Sequence, residues 1–510
     1  MLFNSYSFIF IFLPATLLLF HGLRHNGFNR AAIFTLIVMS LIFYGWWSAK
    51  YLFLLIPLML INFSVANLIA SLRKDNRRHR AKAILILGLG INLGALGYYK
   101  YANFFVDNLN TLFGLDLFLA SIILPLGISF FTFQKIALLV DVYNGKTSRL
   151  NLLDFSLFVV FFPQLIAGPI VHHSEVMPQF KQLGKMQANL FILGITLFAM
   201  GLAKKVLLAD TAAVYATPQF DAVANGIQLG MVAAWSGALA YTAQLYFDFS
   251  AYSDMAIGTG LMFGIHLPLN FASPYKAANI IDFWRRWHMT LSRFLRDYIY
   301  IPLGGNRKGK IRRFVNLFAT MVLGGIWHGA GWSFLVWGAL HGGYLMINHG
   351  WRELRIRLGL SSEASSPAGR WLARGITFLS VVVAWVFFRA SDTEAALSML
   401  SAMTGFHGIG TPGLFGFEAP DKLPPAQSVD SWSGLIVACI LLLMTWFAPN
   451  TQQITGYTGP EGAYGSAVTE PGPAALRWSG SWKWAIYTGL LFAASLMLMS
   501  RVSEFIYFQF

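Results

Sequence analysis

Residues 314–351 run for 38 positions without an Asp, Glu, Lys or Arg. One bilayer crossing needs about 20 apolar residues, because a helix rises about 1.5 Å per residue through a hydrocarbon core about 30 Å thick. The stretch therefore predicts two consecutive crossings. Comparable runs recur at 3–23, 31–48, 51–72, 83–99, 117–141, 152–171, 186–203, 226–247, 249–270, 371–388, 433–449 and 484–500. The chain is 56% hydrophobic and only 12% charged, against about 25% charged in a soluble protein. The expected fold is all-α: a polytopic membrane protein of about 11–14 helices, folded as one integral-membrane domain over 1–510. The runs are continuously apolar rather than alternating, which argues against membrane-spanning strands. The first run lacks the basic flank and small-residue cleavage site of a signal peptide and reads as a first membrane helix.

The net charge of +15 would suggest nucleic acid in a soluble protein. Here the positive-inside rule accounts for it. Residues 73–82 carry six basic side chains, 285–313 carry nine, and 352–374 add five arginines. With the N-terminus outside, the crossings above place all three clusters inside, provided that 249–270 crosses. The chain lacks a P-loop, which argues against an ATP-driven pump. Two GxxxG spacings, Gly90–Gly94 and Gly260–Gly264, predict close helix packing. The single cysteine, Cys439, reads as a small core residue.

Within the uncharged stretch stands Trp327-His328-Gly329. An ionisable residue at membrane depth is costly and marks a functional site by default. The glycines around it (Gly324, Gly325, Gly329 and Gly331) permit close or broken backbone against protein or a cavity. A neutral imidazole there can take a proton from a hydroxyl, as a general base. Forty residues earlier is a second histidine, His288. On a helical wheel over 284–298, Trp284, Trp287, His288, Leu291, Phe294, Leu295 and Tyr298 share one face, and Arg285, Arg286, Arg293, Arg296 and Asp297 the other. This predicts one amphipathic helix at the membrane surface.

His341 follows one crossing after His328 and could share its cavity. Asp248 and Asp254 could line a substrate path or cap a turn. Arg285 and Arg286, with Trp287 and Trp327, complete the candidate substrate-binding set. No metal ligand set is expected: zinc patterns are absent, and the adjacent His172 and His173 would diverge on a regular helix.

Taken together, YFDFSAYSDMAIG at 246–258, NFASPY at 270–275, FWRRWHMTLSRFLRDYIYIPLGG at 283–305, GGIWHG at 324–329, QLIAGP at 164–169 and SEFIYFQF at 503–510 resemble the membrane-bound O-acyltransferase (MBOAT) family. The resemblance runs from the first helix to the last residue and lies nearest the branch that O-acetylates secreted alginate. It implies a helical fold in which a cytoplasmic and a periplasmic funnel meet at a central channel. It implies His328 as catalytic base, His288 as the second motif histidine, and no bound cofactor. It further implies acetyl-CoA as acyl donor, a bacterial inner-membrane location among lipid, and periplasmic polysaccharide-acetylation proteins as partners. Cellulose or another envelope polymer is the alternative acceptor, and a teichoic acid D-alanylation relative or a lipid or protein acyltransferase stands further off. A transporter without chemistry is the rival from another class, but the chain lacks the paired inverted halves it would predict.

Overall fold

The computed structural model describes residues 1–183, 186–361, 366–409, 431–460, 472–499 and 505–506. Every regular element among them is helical. Among the described residues, five helices are long and apolar enough to cross a membrane: Phe8–His25, Ala49–Lys74, Arg78–Phe113, Ala188–Ala224 and Pro367–Arg389. Asn29–Gly45, Ser431–Phe447 and Trp482–Leu498 are shorter apolar helices. Most of the C-terminal string 503–510 lies outside the described residues.

The three basic clusters meet at one end of the molecule. The Arg73 guanidinium lies over Tyr143, Lys146 pairs with Asp141, and Asp141 accepts from Tyr298. Lys310 pairs with Glu353, which joins the second cluster to the third. The chain reaches this arrangement by a different route from the expected one. The segment 152–171 does not cross: after two short helices it returns, and His172 bonds Asp141 beside the point where it set out. The two predicted crossings 226–247 and 249–270 are one helix, Met231–Met262, of 32 residues. It begins beside Gly408 and ends where its Met262 carbonyl meets His21. One crossing is lost at each place, so the changes cancel and the basic clusters still share an end.

The Met231–Met262 helix is buried along nearly its whole length. A helix with protein on all sides cannot be located by an apolar stripe, and the two predicted crossings were cut from one continuous apolar sequence. Its closest neighbour is Ala188–Ala203. A Cβ on Gly194 would sit 2.7 Å from the Gly258 carbonyl, and one on Gly201 would sit 2.8 Å from the Ala251 carbonyl. Small residues let the backbones approach this closely. The GxxxG reading fails at both predicted places: Gly90 and Gly94 face open space, and Gly264 ends its helix at φ +77°.

Asp248 and Asp254 are buried on this central helix. Lys205 lies 2.7 Å from Asp248 and 2.9 Å from Asp210, and Lys204 lies 2.6 Å from Asp254. Both lysines fall in the π-helical segment Lys204–Ala209. Asp248 also accepts the Ile506 backbone N–H at 2.9 Å, and Asp254 accepts from Gln452 at 3.1 Å. The carboxylates thus tie three stretches of chain together. Cys439 is exposed on the outside of its apolar helix, so it faces the surroundings rather than the core.

Removing one partner of a buried ion pair leaves the other charged and costs about 3–5 kcal/mol. Asp248→Ala is expected to lower the melting temperature and the yield of monodisperse protein in detergent. Activity per folded molecule should hold near wild type. Lost activity at unchanged stability would instead make Asp248 a substrate-path residue.

Candidate active site

The uncharged stretch folds as a hairpin of Gly309–His328 and Trp332–Arg357, joined by the turn 329–331. The two helices touch through glycine. A Cβ on Gly338 would lie 2.6 Å from the Met321 carbonyl, and one on Gly325 would collide with the Phe334 carbonyl. Gly329 and Gly331 are extended, with φ of −161° and −167°. Any residue adopts that backbone, so Gly329 is there for space: its Cβ would enter the Phe334 ring. His328 is accordingly the last residue of its helix, at the tip of the hairpin.

The last carbonyls of a helix have no partner within it. Here a side chain supplies one. Lys100 Nζ donates to the Trp327 carbonyl at 2.6 Å and to the His328 carbonyl at 2.9 Å. Tyr101 donates its hydroxyl to the Ile326 carbonyl at 2.7 Å. A cation at a helix C-terminus also complements the helix dipole. Lys100 and Tyr101 belong to Gly97–Tyr101, a π-helical turn, and such bulges recur at functional sites. The sequence reading missed both. A lysine in an otherwise apolar run, as Tyr98-Tyr99-Lys100-Tyr101, was the available signal.

Trp327 and His328 open on a cavity of about 490 Å³, also lined by Lys100, Trp46, Trp47 and residues 124–130. Met1 lies on its rim, and Met1 bonds the carbonyl of Phe43. The cavity thus opens at the end away from the basic clusters. The Trp327 ring stacks on Phe133 at 5.1 Å, and Phe133 stacks on Phe294 at 4.0 Å. On its other side, His328 meets Trp337 at 5.0 Å and Phe388 at 5.0 Å, both edge to face.

His288 is fully buried, and it breaks the predicted helix. Ile280–Arg286 and Met289–Leu295 are separate helices, and His288 between them has φ +41° and ψ +55°. A left-handed non-glycine residue costs on the order of 1–3 kcal/mol and tends to sit at functional sites. The surroundings fix it: Met289 N–H bonds the Asn270 carbonyl, Ala272 N–H bonds the Arg286 carbonyl, and Thr290 Oγ1 donates to Asn270 Oδ1 at 2.6 Å. The NFASPY motif thus holds the break. The wheel assigned the faces correctly, since the apolar set is largely buried and Arg285 and Arg296 are exposed. It missed the break because periodicity carries no information about one residue's φ.

The break brings His288 toward the hairpin tip. Its ring lies 6.3 Å from Trp327 and 4.7 Å from Phe249. His341 is fully buried, accepts from Trp284 Nε1 at 3.3 Å, and lies 4.8 Å from Trp337. Trp337 therefore stands between the two histidines. Trp287 packs on Phe271 at 5.0 Å and Trp385 at 4.9 Å, behind His288. Arg285 is exposed, and Arg286 pairs with Asp282 at 2.8 Å. Arg286, Asp248 and Asp254 thus take partners away from His328. The structure thus gathers His328, His288, His341 and Trp327, and adds Lys100, Tyr101 and Trp337.

The sequence profile of the membrane-bound O-acyltransferase family, MBOAT, matches residues 35–376. A peptidoglycan O-acetyltransferase of Helicobacter pylori is 44% identical over 80% of this chain and 81% of its own. A probable alginate O-acetylase of Pseudomonas putida is 41% identical over the whole of both chains. A teichoic acid D-alanyltransferase of Streptococcus thermophilus is 28% identical over 52% of this chain and 68% of its own. The chain belongs to the membrane-bound O-acyltransferase family and is an O-acyltransferase.

Proposed function

We propose that the protein O-acetylates a polysaccharide outside the cytoplasm, with His328 as general base and acetyl-CoA as donor, from the inner membrane of a bacterium. The observation that carries this reading is the placement of His328: buried, at the end of a capped helix, on the wall of a cavity that opens away from the basic end. The basic end faces the cytoplasm by the positive-inside rule. There, Arg352, Arg355 and Arg370 line a separate cleft of about 390 Å³, where a donor's phosphates would be attracted.

In this mechanism an acceptor hydroxyl enters from the cavity. A His328 ring nitrogen takes its proton as the oxygen attacks the acetyl carbonyl carbon. The carbon–sulfur bond breaks, and the thiolate of coenzyme A recovers the proton. His288 positions donor or acceptor across the Trp327 ring. Lys100 acts through the backbone: by holding the carbonyls of Trp327 and His328 it fixes where the imidazole stands.

Alginate is the first choice of acceptor, because the Pseudomonas putida relative matches along its full length. Peptidoglycan is the second, favoured by the 44% identity of the Helicobacter pylori protein. Periplasmic acetylation proteins would complete delivery to either polymer.

The deciding measurement is O-acetyl content, by NMR, of secreted polysaccharide and of peptidoglycan. Strains lacking the gene would carry wild type or His328→Ala at equal membrane abundance. Acetyl on one polymer with wild type alone supports the reading and identifies the acceptor. Equal acetylation by both removes His328 from the chemistry, and loss of polymer secretion itself favours an exporter. In purified protein, His328→Ala should reduce transfer at least about 10²-fold. Lys100→Met should lower kcat about 10–100-fold, as expected for a misplaced reacting group, while KM for the donor stays near wild type. Lys100→Arg, which still donates to carbonyls, should recover part of that loss. A Lys100→Met effect confined to KM would refute the positioning role.

A further inference from the structure

A second cluster of chemistry-bearing side chains stands at the basic end and takes no part in the mechanism above. Asp141 lies in the last turn of helix Ile128–Asn144 with its carboxylate fully buried. His172 precedes helix His173–Lys181 in extended conformation, with φ −92° and ψ +140°, and His173 begins that helix. The pair is therefore not on a regular helix, and the premise that kept the two rings apart does not apply. Their rings lie 4.5 Å apart. One ligand-type atom from each of Asp141, His172 and His173 falls within 4.8 Å of the others.

The carboxylate divides its two oxygens. Oδ1 faces Lys146 Nζ at 2.8 Å. Oδ2 faces His172 Nε2 at 2.6 Å and His173 Nδ1 at 3.6 Å, and accepts from the Tyr298 hydroxyl at 2.6 Å. That hydroxyl is also 2.8 Å from His172 Nε2. The His173 side chain is 6% exposed, and its Nδ1 is buried without a hydrogen-bond partner. A buried, unpartnered imidazole nitrogen beside a carboxylate oxygen is unusual, because buried polar atoms are normally bonded.

Outer contacts orient these groups as they do around metal ions. His172 Nδ1 pairs with Ser174 Oγ at 2.6 Å, which directs Nε2 at Asp141. The His172 backbone N–H donates to Glu175 at 3.2 Å, and Arg293 holds Glu175. The His172 side chain is 23% exposed, which leaves a way in from solvent.

We propose that Asp141 Oδ2, His172 Nε2 and His173 Nδ1 form a binding site for one first-row divalent cation of the zinc type, with the Tyr298 hydroxyl on its fourth side. Two imidazoles and one carboxylate are a donor set that such ions favour. Bonds of about 2.0–2.2 Å in tetrahedral geometry separate neighbouring ligands by about 3.4 Å. The His173–Asp141 separation already fits. The His172–Asp141 contact opens by about 0.8 Å on loading, when the ion replaces the hydrogen bond across it and the neutral His172 ring keeps its proton on Nδ1, toward Ser174 Oγ. The ion would clasp the end of Ile128–Asn144 to the start of His173–Lys181 and to the Arg296–Tyr300 turn.

The test uses full-length, tag-free protein in detergent, stripped with chelator and titrated with Zn²⁺, with bound metal counted by mass spectrometry. Wild type is expected to hold one equivalent per chain. His173→Ala and Asp141→Asn should each weaken binding by at least about tenfold, the least expected for even an outer-shell partner. His25→Ala, at the exposed end of Phe8–His25, should bind as wild type does. Loading with Co²⁺ should give tetrahedral visible bands that the two site variants lack. If either variant elutes as aggregate, His173→Gln replaces it, with the same loss expected. Wild type without a stoichiometric ion, or equal retention by wild type and the site variants, would overturn the proposal. The readout is metal content, so it is independent of the acetyl-transfer reading.

Discussion

Three side-chain hydrogen bonds across more than 220 residues of sequence, from Lys100 and Tyr101 to the carbonyls of residues 326–328, set the position of the His328 imidazole. A helix that ends at membrane depth exposes carbonyls that lipid cannot satisfy. The chain solves this by bringing a charged side chain to the helix end. Doing so fixes the turn that follows, the glycine contact between the two arms of the hairpin, and the direction of His328. The cavity and the aromatic wall around it are built on that fixed end.

The same logic governs the other buried charges. Asp248 and Asp254 are matched by Lys205 and Lys204 across a helix crossing that only glycines permit. Aspartates that read as candidate substrate groups have their partners within the scaffold. Around the candidate site, by contrast, aromatic rings isolate the histidines from one another: Trp337 separates His328 from His341, and Trp327 separates His328 from His288. Rings of this size exclude water while leaving a polar edge free, which suits the acyl transfer proposed above.

Much of the site was legible because membrane burial makes polar residues conspicuous. His328 stood out in a stretch of 38 residues without Asp, Glu, Lys or Arg, and the wheel over 284–298 gave the right buried face. Lys100 carried the same signal in weaker form and was passed over. The break at His288 was not legible: a helical period continues through it, and only the Asn270–Ala272 segment, brought in from elsewhere, forces the left-handed turn. Nor was the approach of Asp141 to His172 and His173, which depends on 152–171 turning back instead of crossing.

The sequence alone determined that the chain is a helical membrane protein with its basic clusters at one end, since hydropathy and charge act residue by residue. It also determined the family, through motifs whose order and spacing survive in one dimension. The tertiary structure decided which polar residues meet: which aspartate has a lysine, which histidine lines the cavity, and where a helix stops. Those outcomes depend on pairings between segments far apart in the chain, and no local periodicity encodes them.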